Sequence, residues 1–431
     1  LAVVGTSLYS FTASTISGAK ASFTAANNNV FEVSSQEAYG VMYYVDGTNY
    51  LKYTGSSDTA ATWTATSGTL PSSGANKCKL ICLWHGRVVL AGLTGDLQNW
   101  FMSKVGDPLN FDYAPATATE ADAAAGNNAP AGKMGDIITS LVPYTEEILF
   151  FGGDRSIWQM SGDPMAQGRI DLVTDQIGMG WGKCWCMDPA GVLHFWGSKG
   201  GVYKVGCCGG EKLQLLSGAL TDRFRDLNTS ALRIRMTWDT QENGLHLWLT
   251  PSTAVATTHY FYDAANGSWW PDVFTNTNHD ATAIHQTDGV TPAERYVLMG
   301  GRDGFVRYID LDIKSDDGTA ISSSVYLGPI RVGTAFSECI LTDLEALMSN
   351  NTDATVRYDI YTGRSAEEAY LAVSFMNGNW TAGMSLAERR KVRGRCMWIK
   401  LSQSADAKTW GMENIAARLK VLPAAGARAL R

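Results

Sequence analysis

Two stretches repeat a motif that could pass for an active-site signature. Residues 100–113 read WFMSKVGDPLNFDY and residues 157–168 read IWQMSGDPMAQG. Each carries Trp-x-Met-Ser, at Trp100 and Trp158, and then Gly-Asp-Pro, as Gly106-Asp107-Pro108 and Gly162-Asp163-Pro164. A catalytic motif needs one copy and a structural unit needs many. The six histidines are scattered, with no His-x-x-x-His or His-Glu-x-x-His arrangement, and His85, His194 and His246 lie in or beside apolar strand patterns that favour core or hairpin-edge roles. Among the eight cysteines, Cys184-Trp-Cys186 and Cys207-Cys208 are too tightly spaced for a zinc site. Buried free thiols and folding in a reducing compartment are the expectation. No Gly-x-Ser-x-Gly elbow and no phosphate-binding Gly-Lys-Ser/Thr loop appears. The sequence therefore points away from an enzyme and calls for no catalytic residue, cofactor or metal.

The charged residues with the clearest clustering lie near the end of the chain, in ERRKVRGR, residues 388–395. Strand alternation would put Arg389, Lys391, Arg393 and Arg395 on one face, with Arg390 opposite. Such a face suits DNA phosphates or an acidic partner, or is a solvated hairpin arm. It belongs to a charge asymmetry. Residues 1–150 carry 7 basic and 12 acidic side chains (−5), residues 151–330 carry 14 and 20 (−6), and residues 331–431 carry 14 and 10 (+4). A chain that grips nucleic acid over its whole surface would be basic throughout.

The elements that must position these groups are strands. Charged residues make up only 18% of the 431, while 44 are Gly, 14 Trp and 17 Tyr, a balance that favours β-structure with tight turns. An apolar strand, a Gly-rich turn and an aromatic strand recur at 3–11, 45–53, 90–103, 151–160, 195–205 and 299–309. Each reads as a hairpin, and the spacing of about 40–50 residues is that of a four-stranded propeller blade. The expected fold is all-β: a propeller of five or six blades over 1–315, then a smaller β-sandwich-like module over 316–431, divided at the turn Ser315-Asp316-Asp317-Gly318. An irregular β-sandwich is the competing arrangement. Residues 114–135, rich in Ala, Gly and Pro and without periodicity, read as a long mobile insertion between blades. No apolar run approaches twenty residues, so no membrane span is expected.

Two resemblances bear on function. Ser56-Ser57-Asp58-Thr59-Ala60-Ala61-Thr62-Trp63 resembles the Asp-box of sialidase-type propellers, with Ala60 where that motif has Gly. It implies a fold more than an activity, with a glycan hydrolase or glycan-binding propeller as the alternative function. The second is broader. Gly86-Arg87, Trp100 with Ser103, Gly106-Asp107-Pro108 and Phe111-Asp112, followed by the Gly-rich block 137–164 and the ending WGMENIAARLKVLPAAGARALR, resemble tail proteins of short-tailed double-stranded DNA bacteriophages. These are the nozzle or tubular tail protein and the related packaged-DNA stabilisation protein. Gly426-Ala427-Arg428 departs from the Gly-Arg-Arg of such chains. The resemblance implies a structural virion protein, assembled in the host cytoplasm as a hexameric ring below the portal and adaptor. It would extend the DNA channel, help retain DNA and carry fibres or spikes. An acidic propeller suits a conduit, because like charge keeps DNA off its wall.

Overall fold

The computed structural model describes residues 2–4, 7–10, 18–22, 33–55, 60–205, 213–287, 290–291, 294–310, 312–334 and 337–422. The core of the Asp-box (Ser56–Thr59), Cys207-Cys208 and the terminal Gly426-Ala427-Arg428 lie outside these residues. The chain divides into two compact units, Leu1–Ile309 and Asp310–Arg431.

The first unit is a β-propeller arrangement of antiparallel up-and-down sheets. The first blade comprises Ser34–Ala38, Val41–Val45, Tyr50–Tyr53 and Ala61–Thr62. The second comprises Leu80–Trp84, Arg87–Leu93, Asp96–Met102 and Ala124–Ala125. The third, fourth and fifth span 138–174, 185–215 and 232–272, each again with four strands in sequence order. A sixth, 283–308, has three, and a three-stranded sheet from residues 2–22 precedes the first blade. The first strands pack against one another between the first and second, second and third, fourth and fifth, and fifth and sixth blades, which makes them the inner strands. Each neighbouring pair then shares a core. Leu80, Trp100 and Met102 meet Ile138, Leu141 and Phe151 between the second and third blades, and Trp196 and Val202 meet Met236 and Leu247 between the fourth and fifth. Trp100 and Phe151 are fully buried, with ring centroids 6.5 Å apart. Removing side chains of this size from water contributes about 2–3 kcal/mol each.

The hairpins form because their turns suit the twist of the strands. Tyr39-Gly40 and His85-Gly86 both have positive φ at each residue (54° and 75°, 50° and 67°), the geometry of a two-residue primed turn. Asp46 supplies another turn, its Oδ1 accepting from the N–H of Thr48 (2.8 Å) and of Asn49 (2.6 Å).

The stretch 114–135 is not an insertion between blades. Ala124 and Ala125 pair with Met102 and Phe101 and form the outer strand of the second blade. Ala123, Ala124 and Ala125 are buried, and a Cβ on Gly126 would sit 2.7 Å from Asn99 Oδ1. Small side chains are what this close approach requires, so the segment carries no hydrophobic alternation to read. Its turns are fixed by Asp122, which accepts from Thr119 N–H (2.6 Å), and by Asn128, which bonds the backbone of Ala125 and Tyr113 (2.9 Å each).

The second unit is a smaller β module of two sheets around one core. One sheet orders Ser323–Ile330, Cys396–Gln403, Val356–Gly363 and Met376–Trp380. The other places Glu338–Met348 between Gly383–Gly394 and Met412–Leu422. Leu341, Leu344 and Val392 of one sheet pack with Tyr358, Ile360 and Ile399 of the other. Residues 315–320 form a small hairpin inside this unit, so the division at 309/310 lies a few residues before the Ser-Asp-Asp-Gly turn.

Candidate functional site

The second Gly-Asp-Pro stretch and the Gly-Arg pair, 76 residues apart, meet at the junction of the second and third blades. The turn at His85-Gly86 delivers Arg87 to the start of its strand, where the side chain is fully buried. Arg87 Nε donates to Asp163 Oδ2 (3.0 Å) and Nη2 to Asp163 Oδ1 (3.1 Å). The remaining N–H groups reach the carbonyls of Ser103 (3.0 Å), Glu120 (2.7 Å), Ala121 (3.3 Å) and Asp122 (2.5 Å). All five guanidinium donors thus have acceptors, the condition under which a buried charge is tolerated. Around this latch, Trp84 Nε1 donates to Thr145 O (2.8 Å) and His85 Nδ1 to Glu146 O (2.9 Å).

Both Gly-Asp-Pro copies make the same turn. Gly106 and Gly162 have φ of 74° and 72°. Asp107 Oδ1 accepts from Leu109 N–H (2.9 Å), Asp163 Oδ1 accepts from Met165 N–H (2.8 Å), and Pro108 and Pro164 are buried. Among the described residues, only the second copy receives an arginine. The first blade's equivalent of Arg87, following the Tyr39-Gly40 turn, is Val41. There the junction is closed instead by Tyr39 Oη donating to Gly86 O (2.8 Å) and Trp63 Nε1 donating to Pro108 O (3.2 Å). Trp100 Nε1 donates to Gly132 O (3.0 Å) and Trp158 Nε1 to Ser156 Oγ (2.7 Å), so both tryptophans are packing residues.

The basic run lies on the strand Gly383–Gly394, at an edge of the three-stranded sheet of the second unit. The side chains of Arg389 and Arg390 are outside the described residues. A bulge interrupts the register: Leu341 pairs with Val392 but Asp343 pairs with Arg389, three residues against two. The bulge falls between Arg389 and Val392, while the exposed Lys391 and Arg393 flank the buried Val392 as the spacing implies. Lys391 and Arg393 are exposed, Arg395 is half-buried, and Val392 between them is fully buried. Arg393 Nε bonds Glu338 Oε2 (2.7 Å), and Arg395 Nε lies 3.9 Å from Glu338 Oε1. With Arg364 and Glu368 these residues line a shallow cleft of about 280 Å3. Its charge is mixed, which suits a protein partner with complementary side chains better than a phosphate backbone.

Two histidine–carboxylate groupings were not legible as sites in the sequence. His259 Nε2 lies 2.9 Å from Asp280 Oδ1, both side chains almost fully buried. A hydrolase uses such a couple with its other ring nitrogen on a nucleophile. Here Nδ1 accepts the Leu249 N–H (3.1 Å), so neither nitrogen remains to take a proton. The second grouping is Asp239, Glu242 and His246, the one cluster among the described residues whose donor atoms could share a cation. Burial disfavours the imidazolium of His246, but the Asp239 and Glu242 carboxylates, each with an oxygen 3.5 Å from Nε2, outweigh it and raise its pKa. The spacing Asp-x2-Glu-x3-His matches no helical metal motif. It brings the groups together because a hairpin turn lies between them.

Cys78, Cys82, Cys184, Cys186, Cys339 and Cys396 are free and buried. Burial pushes the Cys78 thiol up to about 12 and the Cys186 thiol higher still, which leaves them unreactive.

No family model matches the chain, and no curated protein matches it. Among solved structures, it is similar to an extracellular domain assigned to a hybrid two-component system from B. thetaiotaomicron. The identity is 12% and the TM-score 0.35, over 68% of this chain and 41% of that one. The chain therefore spans less than half of that domain. It is also similar to a protein solved as "YCF48 bound to D1 peptide", at 14% identity and TM-score 0.38, over 65% of this chain and 79% of that one. An exo-β-1,3-galactanase from Phanerochaete chrysosporium, solved with β-1,3-galactotriose, matches at 8% identity and TM-score 0.35, over 96% of this chain and all of that one. At these distances none of the three carries an argument about activity.

Proposed function

We propose that this chain is a structural subunit of a double-stranded DNA bacteriophage tail: a nozzle or tubular ring below the portal and adaptor that extends the DNA channel. The observation that carries the reading is the buried contact between Arg87 and Asp163. Gly86-Arg87 lies in the block that carries the resemblance to tail proteins, and Asp163 in the next block. In space they form one physical unit, a latch between adjacent blades. Their chemistry goes into rigidity: every donor of Arg87 is engaged within the protein and none faces a substrate. A conduit under the pressure of passing DNA needs blades that do not slide past one another.

On this reading the ring is a homohexamer located in the virion tail and assembled in the host cytoplasm. The mixed-charge cleft at Glu338, Arg364, Arg393 and Arg395 docks an adaptor or portal-side ring protein, or a fibre or spike. Net negative charge on residues 1–330 keeps DNA mobile in the channel. Native mass spectrometry and negative-stain imaging of the purified chain test this directly. A closed ring of six copies, alone or on addition of an adaptor ring, is expected. A stable monomer that hydrolyses or binds oligosaccharides would overturn the reading in favour of a glycan-acting propeller.

A further inference from the structure

We propose that Asp239, Glu242 and His246 bind a divalent transition-metal ion of the zinc class in the first turn of the fifth blade. The strands Leu232–Asp239 and Gly244–Pro251 pair up to Asp239 opposite Gly244, and Asn243 turns the chain at a φ of 50°. His246 sits opposite Thr237, two pairs in from the turn, so its ring points back towards the loop from the strand. Asp239 has its two oxygens divided between two tasks. Oδ1 accepts the backbone N–H of Gln241 (2.7 Å) and Glu242 (3.2 Å), which fixes the turn. Oδ2 is left 3.5 Å from His246 Nε2, and Glu242 Oε2 is also 3.5 Å from that nitrogen.

The histidine supplies the independent observation. It is only 8% exposed, and its ring is held by Trp248 (centroids 4.9 Å, nearly parallel) and Phe261 (4.7 Å). Its Nε2 is buried and has no hydrogen-bond partner. A buried polar nitrogen in that state costs free energy unless something occupies it. The distances say what fits. A tetrahedral zinc with Zn–N and Zn–O near ~2.1 Å separates its donor atoms by about 3.4 Å, against the 3.5 Å found on both sides of Nε2. All three donor atoms lie within 4.8 Å of one another. One imidazole and two carboxylates select zinc, cobalt or nickel over magnesium or calcium, which prefer all-oxygen shells. Three protein ligands leave a fourth position, and the one-third-exposed Glu242 side chain opens that position to water. Binding would clamp the hairpin that Gln286 of the sixth blade also touches, through Thr240 (3.4 Å).

Chelator-treated full-length protein titrated calorimetrically with Zn2+, with Mg2+ and Ca2+ as counter-probes, tests the site. Cobalt substitution reports tetrahedral geometry through its visible absorption. One Zn2+ per chain is expected at this site, with no comparable heat from Mg2+ or Ca2+. Glu242→Gln and His246→Gln should each weaken that binding about 100-fold or more, since even outer-shell partners of metal ligands are worth 10–100-fold. Glu242 lies in a half-exposed turn, so Glu242→Gln decides the matter with its fold intact by circular dichroism. Zinc held by thiols elsewhere would ignore that change. Zinc binding that is absent, or indifferent to Glu242→Gln, overturns the proposal.

Discussion

Replacing Asp163 with Ala removes the one charged partner, among the described residues, of a guanidinium that is fully buried. The carbonyls of Ser103, Glu120, Ala121 and Asp122 still accept from Arg87, but Nε and one Nη2 proton lose their acceptor and the positive charge loses its counter-ion. Breaking a buried ion pair from one side costs about 3–5 kcal/mol. For a unit of this size each kcal/mol moves the melting temperature by roughly 2 °C, so a fall of about 6–10 °C is expected. Arg87→Met is the complementary change. It leaves the carbonyls without a donor while the Asp163 carboxylate, 12% exposed, can still reach water, so it should cost somewhat less, about 2–3 kcal/mol. The double variant Arg87→Met/Asp163→Ala should then cost less than the sum of the singles by at least ~1.5 kcal/mol, because neither charge is left unpaired. Urea denaturation followed by tryptophan fluorescence reads the junction directly, since Trp84 and Trp100 lie in the core shared by the two blades. Single variants within ~0.5 kcal/mol of the parent, or strict additivity in the double, would refute the latch.

Three further outcomes follow from the geometry. Gly168→Ala should cost about 2–3 kcal/mol or more, because a Cβ there would lie 2.5 Å from Asp163 O and 2.6 Å from Gly162 O within the Gly-Asp-Pro turn; urea midpoints check it. In the second unit, the Arg357 guanidinium and the Ser374 hydroxyl, against the opposing effect of burial, hold the Asp359 carboxyl below its ordinary value. A depressed folded pKa means that the contribution is complete above the unfolded value near ~4 and is lost as pH falls through the folded one. The stability gap between parent and Asp359→Asn should therefore be constant from neutral pH down to about pH 5 and close at lower pH, as measured by thermal melts across that range. Finally, the six buried thiols should resist alkylation in the native protein and all react in denaturant, as read by peptide mapping; native labelling of Cys78 or Cys186 would contradict their placement.

What the sequence determined by itself is local. Period-two alternation and Gly-rich turns such as Asp46-Gly47 specify hairpins within a dozen residues, and hairpins repeated at blade length specify a propeller. The Gly-Asp-Pro turns were legible for the same reason: Gly106 and Gly162 release the chain and Asp107 and Asp163 bond the backbone two residues on. Tertiary structure decided whatever depends on which strands become neighbours. Ala124–Ala125 is a blade strand because small side chains fit beside Met102, a requirement of size that leaves no periodic trace. The register bulge that divides the basic strand between Arg389 and Val392 is set by pairing with Leu341 and Asp343, which alternation alone cannot foresee. Asp239, Glu242 and His246 converge because a hairpin folds residues 239–246 back on themselves. Arg87 and Asp163 look like two unrelated charges along the chain. They become one interaction only because blades adjacent in sequence pack against each other and bury the guanidinium where the Asp163 carboxylate can reach it.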